Sequence, residues 1–210
     1  MNKLVNIFYI SSFILSISIG VVYFYLIKLE PVGFFIYSIL APILLCLPIL
    51  VQKRKVIQKN YNYKLIQILK LFVSMIIYVH SIGSLWLYKQ PFQYDQLAHF
   101  ITLVLVTIML AFLYKIITVD ILKRKESSLF FMFSILFILG FFGGVLNELI
   151  QFSSDLLFGS KMFFDPTQLT YHEDSLTDIR ANTLGIITAL IFLKIKWNYI
   201  KTSIAKKSTL

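Results

Sequence analysis

Six apolar stretches, each close to the length needed to cross a lipid bilayer, constrain this chain more than any other feature. A transmembrane helix needs about 20 mainly apolar residues to cross roughly 30 Å of hydrocarbon. Stretches of this kind lie at 7–27, 32–51, 65–87, 97–118, 128–151 and 176–195. Backbone polar groups inside a bilayer must be satisfied within the segment, so isolated strands are excluded there. The sequence therefore predicts an all-α polytopic transmembrane helix bundle of about six spans.

The composition agrees with this fold class and leaves little room for a separate soluble domain. Hydrophobic residues make up 58% of the chain and charged residues only 14%, whereas the surface of a soluble domain needs a larger charged fraction. We predict one integral membrane domain over 1–210, with two N-terminal anchor helices within 1–55. The first stretch lacks a small-residue cleavage signature and is closely followed by another, which favours an anchor over a signal peptide.

The basic residues lie between the apolar stretches and not along one amphipathic face. The net charge is +10, but this distribution is typical of the positive-inside rule and argues against a nucleic-acid-binding surface. Of the 20 basic residues, 13 follow or end the second, fourth and sixth stretches: Lys53, Arg54, Lys55, Lys59, Lys64, Lys123, Arg124, Lys125, Lys194, Lys196, Lys201, Lys206 and Lys207. With Lys3, they fall on one side of a six-span bundle, so both termini are predicted to be cytoplasmic.

Most of the acidic residues fall at the opposite side of the predicted membrane. Only Asp120 and Glu126 belong to the lysine-rich side. The other eight lie on or near the outer side: Glu30, Asp95, Glu148, Asp155, Asp165, Glu173, Asp174 and Asp178. Acidic residues contribute little to topology, so their accumulation on one side indicates a site.

Two apolar stretches carry ionisable side chains on one helical face. Residues spaced by three or four positions share a face of a helix. One such face contains Gly140, Gly144, Glu148, Gln151 and Asp155, and a second contains Asp174, Asp178, Asn182, Gly185 and Ala189. Small residues let helix backbones approach closely. We therefore predict that these two faces pack on each other and bring their carboxylates together.

Two further stretches place polar residues at the same depth. Asp95 and His99 are one helical turn apart at the start of the fourth stretch. The third stretch carries His80, Ser81 and Ser84 near its outer end. Four helices are thus expected to offer polar groups to a single pocket just below the outer membrane interface.

Imidazole with several carboxylates is a ligand set suited to Zn²⁺, Mn²⁺ or Mg²⁺, and it also suits a proton relay. The sequence thus predicts Asp95, His99, Glu148 and Asp178 as catalytic residues and as hypothetical metal ligands. The predicted binding residues around them are His80, Gln151, Asp174 and Asn182. An ionisable residue within a membrane span favours a functional role.

Each of these residues also has a structural interpretation. Glu148 would be a neutral buried carboxyl, or one paired with Arg180 or Lys161, that joins helices. Asp95, Asp174 and Asp178 would complete the first turns of their helices, where carboxylates accept free backbone N–H groups. Asn182 would join helices by hydrogen bonding. The loop over 152–175 mixes apolar and polar residues and is predicted to lie in the interface, either as a connector or as a cover for the pocket.

Three motifs in the second half of the chain resemble a known family. They read YDQLAHF, NELIQFSSDLLFG and EDSLTDIRANTLG. They resemble the VanZ-like group of bacterial membrane proteins and look closest to its YjdF-type inner-membrane branch. The matching positions are Tyr94, Asp95, His99, Glu148, Asp174, Asp178, Asn182 and Gly185. Two differences from the branch are present. The residues HEDSL stand in place of its usual sequence before the paired Asp residues, and Gln151 stands where the branch often has Glu.

The resemblance covers a four-helix part over 62–196 and implies a multi-pass protein of the bacterial cytoplasmic membrane with a role in the cell envelope. We accordingly expect the pocket to bind or act on an envelope lipid or lipid-linked amphiphile, with the bilayer as partner and without nucleic acid. Two alternatives stay open. One is a metal-dependent hydrolase of a lipid-linked substrate, and the other is a proton- or cation-coupled transporter.

Overall fold

The computed structural model describes residues 2–22, 31–85, 94–158 and 171–205. The helices are α1 (Asn2–Val22), α2 (Pro31–Gln52), α3 (Lys55–Asn60), α4 (Tyr63–Leu85), α5 (Tyr94–Lys115), a π-helix (Ile116–Ile121), α6 (Leu129–Phe158) and α7 (Tyr171–Ile204). Over these ranges no strand is present, and β-type pairing is limited to an isolated bridge between Tyr61 and Ala205. The prediction of an all-α fold is confirmed.

Four helices are long and apolar enough to cross a membrane by length and composition. Their apolar parts are Tyr63–Gly83, Tyr94–Ile121, Leu129–Ser153 and Asp174–Ile204. In α1 and α2 the apolar parts within the described residues are shorter, Lys3–Ile19 and Leu40–Gln52. Many large apolar side chains on these helices are exposed, which fits contact with lipid. The count of six spans and the orientation stay predictions.

Helix α5 lies at the centre of the bundle and packs most closely on α7. A Cβ added at Gly185 of α7 would lie 2.5 Å from the carbonyl oxygen of Phe100 on α5. No side chain fits at that distance, so glycine permits the close approach of the two backbones. This contact fixes the spacing between the helices that carry Asp95, His99, Asp178 and Asn182.

The predicted packing of two small-residue faces on each other is only partly correct. Two glycines of α6 do face α7. A Cβ added at Gly144 would lie 3.0 Å from Asn182 Nδ2, and a Cβ added at Gly140 would lie 3.1 Å from the Ile186 side chain. Gly185, however, packs on α5 and not on α6. Helical spacing predicted a shared face correctly, but it did not identify which neighbour that face contacts.

The apolar core lies in the half of the bundle where α5 and α7 end. Buried side chains from α4, α5, α6 and α7 meet there, including the fully buried Leu65, Ala111, Leu136, Leu193 and Trp197. On the other side of α4, helix α1 is joined by hydrogen bonds between serine and tyrosine side chains. Ser12 donates to Ser74 at 3.2 Å and Tyr78 donates to Ser11 at 2.6 Å. Helix α1 is therefore fixed to the bundle by polar contacts as well as by apolar packing.

The π-helix that follows α5 carries a buried polar network centred on Asp120. Asn60 Nδ2 donates to Asp120 Oδ1 at 2.7 Å, and the Tyr61 hydroxyl donates to Oδ2. Lys115 Nζ lies 3.9 Å from Asp120 and donates to the Tyr61 hydroxyl at 3.0 Å. Burial raises the pKa of Tyr61, and its hydrogen bond to the Asp120 carboxylate and the charges of Asp120 and Glu126 raise it further. We call these four residues, Asn60, Tyr61, Lys115 and Asp120, the Asp120 network.

A second ion pair closes the same end of the bundle. Lys201 Nζ donates to both oxygens of Glu126, at 2.8 and 2.9 Å, and Trp197 Nε1 donates to Oε1 at 3.1 Å. Partial burial raises the pKa of Glu126, but the hydrogen bonds from Lys201 and Trp197, with the charges of Lys201 and Lys115, outweigh it and hold this pKa below its ordinary value. The segment between the π-helix and α6 is thereby fastened to α7.

Candidate functional site

Five polar side chains from three helices meet at the opposite end of the bundle. Asp95 and His99 lie in the first turns of α5, Asp178 and Asn182 lie on α7, and Glu148 lies on α6. Four of them are buried, and the side chain of Asp95 is 43% exposed. We call these five residues the carboxylate–histidine cluster. Three helices supply it, so it exists only in the folded bundle.

His99 is the centre of this cluster, and its two ring nitrogens have different surroundings. Nδ1 lies 3.2 Å from Asn182 Oδ1 and 3.9 Å from Glu148 Oε1. Nε2 lies 3.7 Å from Asp95 Oδ1 and 3.7 Å from Asp178 Oδ2. An imidazole Nδ1–H that donates to the Asn182 carbonyl leaves the Nε2 lone pair directed toward the two aspartates.

Three electron-rich atoms therefore lie close together: Nε2 of His99 and one carboxylate oxygen each of Asp95 and Asp178. The separation of 3.7 Å between Nε2 and each aspartate oxygen is too long for a direct hydrogen bond. It is close to the separation of neighbouring ligands around a cation that binds each at about 2.1 Å. One ligand atom each from Asp95, His99 and Asp178 lies within 4.8 Å of the others. Small side-chain rotations would allow all three to contact one ion.

Glu148 is buried on the other side of His99, with its Oε1 3.9 Å from Nδ1. Neither of its carboxylate oxygens has a hydrogen-bond partner among the described residues, and only 5% of the residue is exposed. No Lys or Arg nitrogen of the described chain lies within 4.0 Å of it, and Arg180 is exposed on α7. The predicted ion pair with Arg180 is thus not formed, and Lys161 lies outside the described residues. A buried, unpartnered carboxyl is costly to the fold, which favours a functional role.

Asn182 connects the cluster to a neighbouring cavity. Its Oδ1 faces His99, while its buried Nδ2 faces Gly144 and has no hydrogen-bond partner in the described structure. The cavity has a volume of about 220 Å³. It is lined by His80, His99, Thr102, Leu103, Val106, Leu139, Gly140, Gly143, Gly144, Asn147 and Asn182. Four helices, α4 to α7, therefore contribute to a single pocket.

The remaining predicted residues lie around the cluster. Asp174 is half-buried one turn before Asp178, near enough for its charge to act on Asp178 and Glu148. His80 lines the cavity, and its Nε2 lies 3.0 Å from Thr102 Oγ1. Gln151 is half-buried one turn beyond Glu148 on α6. The side chains of Asp155 and Ser84 lie outside what the structure describes. The predicted loop over 152–175 is too long, because α6 extends to Phe158 and α7 begins at Tyr171, and residues 159–170 lie outside the described ranges.

Sequence reasoning did not select two polar residues of this pocket. Thr102 lies near His80, and Asn147 precedes Glu148 and lines the cavity. Thr102 follows His99 by three positions, so helical spacing alone was sufficient to place it on the same face. Asn147 follows Gly144 by three positions and precedes Gln151 by four, so the same spacing was sufficient to place it on the face of Gly140 and Gly144.

Comparison with known proteins gives the family of the chain. The sequence model of a family described as "Predicted membrane protein (DUF2238)" matches residues 7–198. Since the match covers most of the chain, the protein belongs to this family. No curated protein and no solved structure matches it. With its apolar helices, this membership makes the chain a multi-pass integral membrane protein.

Proposed function

We propose that this protein holds a divalent metal ion at Asp95, His99 and Asp178 and uses it to hydrolyse a cell-envelope amphiphile. The convergence of two aspartate oxygens on His99 Nε2, each at 3.7 Å, carries the proposal. A cation between the three atoms would relieve the repulsion between the two carboxylates and the Nε2 lone pair. The ligand set of one imidazole and two carboxylates suits Zn²⁺ or Mn²⁺.

The surroundings of His99 support a metal over a shared proton. Histidine ligands commonly donate their second ring N–H to a carbonyl or carboxylate, which fixes the tautomer and the ring orientation. Asn182 Oδ1 lies at 3.2 Å from Nδ1 and provides that acceptor. If Nε2 carried a proton, we would expect one aspartate oxygen to lie at hydrogen-bond distance from it. Both aspartate oxygens lie at 3.7 Å, which is too far.

Glu148 is the proposed general base. Asp95, His99 and Asp178 would hold the divalent ion, which would supply the Lewis acidity that makes a water molecule more acidic. Glu148 takes the proton of that water as the oxygen attacks the ester or phosphoester centre. Glu148 then gives the proton to the departing alkoxide oxygen, so the bond to the leaving group is replaced by one bond to water oxygen. Neither carboxylate oxygen of Glu148 makes a hydrogen bond to a described residue, which suits this exchange.

The amphiphile and its side of the membrane are inferred from the helices around the site. The pocket joins a polar cluster to an apolar wall that includes Leu139, an exposed residue of the lipid-facing helix α6. The positive-inside rule places the lysine-rich end in the cytoplasm and the cluster at the outer leaflet. The motifs shared with the VanZ-like group and its YjdF-type branch agree with an envelope role.

Transport has less support from the structure. A coupled transporter needs a relay that becomes accessible from both sides, usually through membrane-embedded ionisable residues. At the lysine-rich end, the buried acid among the described residues is Asp120, and Asn60, Tyr61 and Lys115 hold it in place. This network is typical of a structural element.

Elemental analysis of the purified protein in detergent tests the proposal. We expect about one Zn or Mn per chain in the wild type and loss of most of it in Asp178→Asn and His99→Ala. Glu148→Gln should keep the metal, because Glu148 lies on the Nδ1 side of His99, but it should lose hydrolysis of short-chain p-nitrophenyl esters or bis-p-nitrophenyl phosphate. Glu126→Gln, which changes a carboxylate at the other end, is the matched control and should keep both. Wild-type protein without metal after purification and reloading would overturn the proposal.

A further inference from the structure

We infer that the cavity beside the cluster is a lateral slot that takes the first part of a hydrocarbon chain, while the polar head of the same molecule lies at Asp95, His99 and Asp178. This inference rests on the proposed function and deepens it by defining the substrate as an amphiphile that enters from the bilayer.

The polar and apolar residues that line the cavity are arranged like the head group and the chain of a lipid in one leaflet. Its polar lining, with His99, Asn147 and Asn182, lies at the cluster level. Its apolar lining, with Leu103 and Val106, lies deeper in the membrane. Seven residues separate His99 from Val106, which corresponds to about 10 Å along a helix. A head group at the outer end and a chain at the inner end match this gradient.

The size of the cavity limits what it can hold. Its volume is about 220 Å³, whereas a cavity of about 150 Å³ takes one benzene molecule and complete small-molecule sites occupy roughly 300–1,000 Å³. The cavity therefore accommodates the part of a chain next to the head group, and the rest of the chain has to extend outside the protein.

Helix α6 provides the opening for the rest of the chain. Gly143 lines the cavity and is also exposed, and a Cβ added there would meet nothing within 4 Å. Leu139, one turn earlier, lines the cavity and is 50% exposed on the apolar surface. The wall at these two residues is thus open toward lipid, while Gly140 and Gly144 face α7.

The buried amide of Asn182 makes an occupant of mixed character more suitable than pure hydrocarbon. The Nδ2 of Asn182 is buried in the cavity wall and has no hydrogen-bond partner in the described residues. A carbonyl or phosphoryl oxygen near the head of an amphiphile can accept from this group. A purely apolar molecule would leave it unsatisfied.

Hydroxamic acids of two chain lengths provide the test, because their head groups bind Zn and Mn directly. Wild-type protein loaded with metal in phosphatidylcholine nanodiscs is titrated with acetohydroxamic acid and with dodecanohydroxamic acid, and partition into empty nanodiscs is subtracted. We expect the long chain to bind at least about tenfold more tightly, since each buried methylene adds to affinity.

Gly143→Leu should remove this gain, because its side chain fills the slot, and should leave metal content and acetohydroxamate affinity unchanged. Phe142→Leu, at a neighbouring residue that is 64% exposed and does not line the cavity, should behave as the wild type. Val106→Phe, from the opposite wall, repeats the test if Gly143→Leu does not fold.

Two results would overturn the slot while the metal site stands: equal affinity for both chain lengths in the wild type, or a chain-length gain that the filling variants retain. Absence of metal from every sample is a separate result, seen by elemental analysis. It would overturn the proposed function and, with it, the slot.

Discussion

The two ends of the bundle bury acidic residues in opposite ways. In the Asp120 network, Asp120 accepts hydrogen bonds from Asn60 and Tyr61, and Lys115 lies 3.9 Å away. In the carboxylate–histidine cluster, three carboxylates face one histidine at 3.7 to 3.9 Å, and Glu148 has no hydrogen-bond partner among the described residues. The described side chains satisfy the buried acid at one end, and at the other end we propose that a cation completes the site.

This difference separates polar groups that stabilise the fold from those that reduce its stability. A satisfied buried network strengthens a membrane bundle, whereas an unsatisfied buried polar group costs free energy. Proteins tolerate that cost mainly at functional sites. Substitutions at the two ends should therefore change stability in opposite directions.

The largest loss of stability is expected at the lysine-rich end. Asp120→Ala removes the acceptor for Asn60 and Tyr61 and leaves Lys115 without its carboxylate, which typically costs about 3–5 kcal/mol. Unfolding in SDS titrations, compared with the exposed neighbour variant Ile121→Ala, measures the change. A loss no larger than that of the control would show that the network does not stabilise the bundle.

The next largest effect is expected where α7 contacts α5. In Gly185→Ala the new Cβ meets the Phe100 carbonyl oxygen at 2.5 Å, so the helices must separate at a cost of about 1–3 kcal/mol. Metal affinity should fall in parallel, because the same contact sets the distance from His99 to Asp178. Gly143→Ala, which meets no atom within 4 Å, is the matched control. Equal stability of the two variants would contradict the predicted steric clash.

At the cluster, removal of a carboxylate should stabilise the metal-free protein. Glu148→Leu replaces a buried, unpartnered carboxyl by an apolar group and should raise the free energy of unfolding by about 1–3 kcal/mol in EDTA. Catalytic activity should be lost at the same time. Leu149→Met, at an exposed position of the same helix, controls for changes in lipid contact. A destabilised Glu148→Leu variant would instead assign Glu148 to a structural network.

The smallest effect should come from the Glu126–Lys201 pair. The pKa of Glu126 is lowered in the folded state, so its contribution is present above the ordinary carboxyl pKa and is lost as the pH falls through the folded value. Thermal unfolding between pH 7 and pH 3 should therefore show a pH-dependent loss of stability that Glu126→Gln reduces. The pair is partly exposed, and the difference should stay small. Identical pH profiles would remove Glu126 from this role.

The sequence was sufficient for the fold class and for the location of the cluster. The length of the apolar stretches predicts the helices, and the spacing of Asp95 with His99 and of Asp178 with Asn182 places each pair on one face. Gly185 shows the limit of this reasoning. Periodicity predicts which residues share a helix face, but it does not predict which helix packs against that face. The Asp120 network shows a second limit. Its partners Asn60 and Tyr61 are about 60 residues away in the chain, and no local pattern links them.

The shared origin of the cluster in α5 and α7 has a consequence for biosynthesis. Asp95 and His99 leave the ribosome well before Asp178 and Asn182, since 83 residues separate His99 from Asn182. During that interval α5 must be accommodated at the membrane with its ionisable residues still without their partners from α7. Arrival of α7, with Gly185 fitting against Phe100, closes the pocket. Arrest of synthesis before α7 should therefore expose α5 to membrane quality-control proteases more than arrest after it does.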